Sequence, residues 1–104
     1  MATGARWGVT VEIVAATTGA INKSARFVRS FQIDRPTTAA STTLVGSVQT
    51  VGTDTGTNAG SPPAGWAVSI TADTTNGAPQ FQVTGDTDTI NWTAAIHYVQ
   101  TIRV

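Results

Sequence analysis

The chain has 104 residues and a mass of 10.7 kDa, the size of one domain, and its six basic and six acidic side chains cancel. Only 12% of residues are charged, about half the usual share of roughly 25%, which argues against nonspecific nucleic-acid binding through clustered lysines and arginines. No cysteine is present, and that excludes disulfides, thiolate metal sites and cysteine nucleophiles. Twenty Thr, fifteen Ala and ten Gly dominate instead, a mixture that favours extended backbone and turns while remaining wettable.

In chain order, Met1 to Ala5 is a run of small residues expected to form an extended arm. Trp7, Val9, Val11 and Ile13 then alternate with polar positions, the period of a half-buried strand, which ends at Thr17-Thr18-Gly19. Ala25, Phe27, Phe31 and Ile33 repeat the pattern with Arg29 as its exception, and Pro36 closes the segment because proline has no N–H for a ladder. Leu44 to Val51 reads as a less regular strand. Gly52 to Gly65, with Pro62-Pro63, is a long loop, well beyond the usual connection of about 4–6 residues. Trp66, Val68 and Ile70 alternate next, followed across Asn76-Gly77 by Phe81 and Val83.

After Gly85-Asp86, the even positions from Ile90 to Val104 are apolar except Gln100, so the spacing predicts one long strand with a bend or bulge near Ala94-Ala95. An amphipathic helix would need apolar residues three and four apart. Six or seven such segments predict a single all-β domain over 1–104: an antiparallel β-sandwich, jelly-roll or Ig-like, or a small barrel. All three tryptophans fall on core parity, which favours packing over a sugar-stacking platform.

Chemistry is sparse. His97, the one candidate general base, lies on the outward parity of the last strand and reads as a surface or interface residue. Asp86 and Asp88 flank Thr87 but lack the further oxygen ligands that calcium requires, so they read as turn acids. Asn22-Lys23-Ser24 and Asn91-Trp92-Thr93 match the glycosylation triplet by composition alone. No catalytic set, metal site or cofactor site is read. Four of the six positive charges, Lys23, Arg26, Arg29 and Arg35, fall within thirteen residues. Arg29 among phenylalanines suggests either a stem lying on the core or a clamp for a neighbouring subunit's carboxylate. Arg26, Arg29, Arg35 and His97 are therefore the expected interface residues.

The segment Gly65-Trp66-Ala67-Val68-Ser69-Ile70-Thr71-Ala72-Asp73-Thr74-Thr75-Asn76-Gly77-Ala78, then Phe81-Gln82-Val83-Thr84-Gly85, then Thr89-Ile90-Asn91-Trp92-Thr93-Ala94-Ala95-Ile96-His97-Tyr98-Val99-Gln100-Thr101-Ile102-Arg103-Val104 resembles an ending found on virion proteins of tailed bacteriophages. About forty residues carry the resemblance; Asn91, Thr93 and His97 depart from it. It implies a non-enzymatic virion protein, made in the host cytoplasm and resident in the particle. The leading expectation is a capsid decoration (cement) protein, a homo-oligomer and specifically a trimer, bound to the major capsid protein or another virion protein. The alternative is a tail-fibre, spike or baseplate module contacting the host surface, with carbohydrate as one ligand class. Neither nucleic acid nor membrane is an expected partner, since no apolar run approaches the ~20 residues of a membrane span.

Overall fold

The computed structural model describes residues 1–103. Its strands are β1 (Ala5–Thr17), β2 (Ser24–Asp34), β3 (Thr43–Thr50), β4 (Thr55–Gly56), β5 (Ala67–Asp73), β6 (Ala78–Thr84) and β7 (Ile90–Ile102), with one 3-10 turn at Ala39–Ser41. Strand accounts for 62% of the chain, and the fold is all-β and antiparallel, as the period-two segments require. The larger sheet runs β3-β2-β1-β7, with β4 beside β2; the β5-β6 hairpin forms the second layer. A two-strand layer is thinner than either sheet of an Ig-like or jelly-roll sandwich. The molecule is elongated, 53 × 25 × 18 Å, because β1 and β7 each run for 13 residues.

Odd-numbered residues of β1 and β2 share the inner face because the two strands pair with Val9 opposite Phe31 and Ile13 opposite Phe27. Val9, Val11, Ile13, Phe27, Phe31 and Ile33 are buried there under Trp66 and Ile70. Aromatic rings join the layers: Phe31 meets Phe81 at 6.1 Å, and Trp92 lies between Phe27 at 6.2 Å and Trp66 at 5.9 Å. Such contacts, at centroid separations of about 4.5–7 Å, add to plain area burial. The two layers therefore meet through Trp66, at the entry to β5, Ile70 of β5, Phe81 of β6 and Trp92 of β7.

Two local expectations change. Met1–Ala5 does not reach out as an arm. Ala5 is buried in β1, the Gly4 N–H donates to the Arg35 carbonyl at 2.7 Å, and Met1 packs on the core. Within the long 52–65 loop, β4 and bridges at Gly56–Gly60 and Asn58–Ser61 tie the chain to β2 and to itself. No bulge interrupts β7, whose register with β1 runs unbroken from Ala5–Ile102 to Thr17–Ile90. The irregular edge is β3: while β2 advances from Ser30 to Gln32, β3 covers Val45 to Gln49, and Gly46 takes φ +75° within that bulge.

Candidate interaction surface

The four residues expected at an interface do not converge. Arg29 does make a bidentate clamp, but on its own chain: Nη1 and Nη2 donate to Asp54 Oδ1 and Oδ2 at 2.6 and 2.9 Å. Its side chain is only 14% exposed, with the guanidinium 5.8 Å from the Phe27 ring. The bonds to Asp54 push the Arg29 pKa up against the opposing effect of burial. Here the clamp tethers the loop after β3 to the sheet. Arg35 is likewise internal. Its Nη1 donates to the Met1 carbonyl at 2.6 Å, and its guanidinium lies against the β5-β6 turn at Gly77. Arg26 lies exposed on the outer face, paired with Glu12 at 2.5 Å. His97 projects from the outer face of β7, opposite Thr10, and among the described residues it has no side-chain hydrogen bond to an acid or hydroxyl.

Lys23, the fourth member of the basic group, bridges Asp88 at 2.7 Å and Asp86 at 3.2 Å. Hydrogen bonds to Asp88 and then Asp86 raise the Lys23 pKa. Asp86 is held below the usual carboxylate range, first by the Trp66 indole N–H at 2.9 Å and then by the Asp88 backbone N–H. Thus the Asp86–Asp88 turn is a staple that locks the start of β5 to the chain before β2. No group of three or more His, Asp or Glu side chains suited to a metal occurs among the described residues. Two surface depressions are of modest size. One, about 350 Å³, is lined by Asn22, Lys23, Thr57, Asn58, Pro63 and Ala64. The other, about 370 Å³, includes Arg6, Trp7, Gln32, Val99 and Gln100. Neither brings a histidine together with an acid.

What the structure does assemble is an exposed seam along β7. Core parity predicts that the even residues of this strand are covered, yet the hairpin reaches only Ile90 and Trp92. Beyond them, Ile96 and Tyr98 are each 50% exposed and Ile102 48%, with Val99 on the outer face at 64%. Tyr98 stacks on Trp7 at 4.4 Å, and the Trp7 Nε1–H donates to Gln100 Oε1 at 2.8 Å, which fixes both rings at the margin of the sheet.

The backbone of β7 is also one-sided. The Arg103 N–H donates to the Gly4 carbonyl and the Thr18 N–H to the Thr89 carbonyl, so odd residues on this side face β1. By the alternation of an antiparallel ladder, the even residues from Ile90 to Ile102 turn their N–H and C=O groups away from β1. No other strand meets them among the described residues. Sequence reasoning had the parity right but lacked a signal for where the second layer stops. Comparison with protein-family models, curated proteins and solved structures finds no match.

Proposed function

We propose that the chain is a non-enzymatic bacteriophage virion structural protein, a capsid decoration (cement) protein that reinforces the outer shell as a symmetric homo-oligomer. The observation that carries this reading is the uncharged, one-sided seam of β7. Apolar strips and unpaired strand edges of this length are features of subunits that work in assemblies. Internal ion pairing supports it: Arg6, Lys23, Arg26 and Arg29 all pair within the subunit, leaving the contacts between copies to apolar and backbone groups. Weak contacts of that kind gain strength by repetition around a shell. The resemblance to phage virion proteins supplies the setting.

Purified protein mixed with heads lacking their decoration, followed by sedimentation, tests the reading. Saturable co-sedimentation, together with heads that resist heating better, is the expected result. Failure to bind heads, with binding to host-surface glycan, would instead assign the chain to the tail.

A further inference from the structure

We propose that β7 is a homotypic docking edge: two copies pair their β7 strands antiparallel about a two-fold axis at Ile96, fusing two five-stranded sheets into one. This rests on the reading of the chain as an assembly subunit and names the partner of its seam, a second copy of the chain.

Exposed edge strands in monomeric proteins carry protective features, such as charged side chains, proline, a bulge or short length. β7 has none of these. Its thirteen residues, Ile90 to Ile102, include no Lys, Arg, Asp, Glu or Pro, and the register is unbroken. The opposite edge is different. There β3 is bulged around Gly46, and β4 occupies the rest of the flank of β2. A head-to-tail contact of β7 with β3 would have to match a straight strand to a bulged one. Pairing β7 with β7 matches straight to straight, and it is the isologous arrangement by which most homo-oligomers close.

The register follows from the strand. An axis at Ile96 sets Ile90 opposite Ile102 of the second copy, so all thirteen residues pair. The outward N–H and C=O groups belong to even residues, and this axis places even residue opposite even residue, as hydrogen-bonded pairs require. On the inner face, Tyr98 falls opposite Ala94, large against small. Ile102, 48% exposed in the single subunit, falls beside Ile90 and Trp92, where the second copy's hairpin stands. On the outer face, His97 lies opposite Ala95, so no charged pair is forced together. Thirteen residues at about 3.4 Å give a seam about 44 Å long. An interface of about 1,200 Å² in total, the low end for a stable complex, requires about 600 Å² per copy, a strip about 14 Å wide along that length. Ile96, Tyr98, Val99 and Ile102, each about half exposed or more, lie along that strip. The geometry is two-fold, in place of the three-fold expected from the resemblance.

Light scattering on the full chain, paired with a single-cysteine scan at positions 94, 96, 98 and 100, tests the pairing. The expected mass is twice the chain's 10.7 kDa. Ile96→Lys sets two ammonium groups against one another at the axis and should return the mass to that of one chain. Ala94→Pro removes an N–H that faces away from β1 and should do the same while keeping the far-UV spectrum. In this cysteine-free chain, Ile96→Cys should cross-link fastest under oxidation, because only a residue at the axis faces itself. A monomer at the highest soluble concentration, a trimer, a dimer untouched by both substitutions, or fastest cross-linking at another position would each overturn the proposal. Heads mixed with wild type and with Ile96→Lys separate this from the decoration reading. A dimer that ignores heads refutes decoration alone, and a monomer that coats them refutes the pairing alone.

Discussion

Trp66→Ala should strip the second layer from the sheet. Trp66 is buried, packs on Trp92 at 5.9 Å and donates its indole N–H to Asp86 at 2.9 Å. Removing a buried tryptophan costs about 3–5 kcal/mol. The whole stability of a domain this size is about 5–15 kcal/mol. With about 4–8 °C of melting temperature per kcal/mol, the fall should be at least about 12 °C, or complete unfolding at the upper end. Trp66→Phe separates the contributions: it keeps a ring on Trp92 and loses the hydrogen bond, worth about 0.5–1.5 kcal/mol net. Thermal melts followed by far-UV circular dichroism, with denaturant titration for the free energies, measure both. A Trp66→Ala protein melting within about 5 °C of wild type would refute the claim that the hairpin is pinned by this residue. Equal losses for Ala and Phe would assign the anchoring to the Asp86 bond and not to the ring.

Arg29→Ala should cost about 1.5–3 kcal/mol, because it leaves Asp54 without its bidentate partner, and should leave the oligomeric mass unchanged; a changed mass in light scattering with an unchanged melt would restore Arg29 to an interface. The Asp86 pKa is lower in the folded chain than in the unfolded one, so its contribution is complete above about pH 3.9 and is lost as pH falls through the folded value. The Lys23 pKa is raised, so its contribution is complete below about pH 10.4 and is lost as pH rises through the folded value. These two contributions are therefore constant between those limits, and Asp86→Asn should soften the acid limb of the melting profile; an acid limb unchanged in that variant would show that other carboxylates govern it. Gly77→Ala should cost about 1–2 kcal/mol by melting, since φ there is +69° and the added Cβ would meet Arg35 Nη1 at 2.7 Å.

The strands were legible because their faces differ. Trp7 to Ile13, Ala25 to Ile33, Trp66 to Ile70 and Ile90 to Ile102 each alternate, and a one-residue slip would turn every apolar side chain outward. Contacts between distant segments were not legible. An arginine among phenylalanines needs an acid, but nothing local picks Asp54 over the five others. The two-residue β4 is too short for any period, and the bulge around Gly46 shows in sequence only as a broken alternation between Val45 and Val48. The fold-back of Met1 depends on Arg35, thirty-four residues away. Alternation in β7 marks which face matches the core but not whether a second layer extends over it. For that reason the seam at Ile96, Tyr98 and Ile102 emerged only with the hairpin in place.

Electron cryo-microscopy of intact particles carrying this chain tests the central claim most directly. The expected density is an all-β subunit repeated over the outer surface of the head, with the β7 strands of neighbouring copies side by side. Density confined to the tail, or head-bound copies whose β7 edge faces open solvent, would contradict the account.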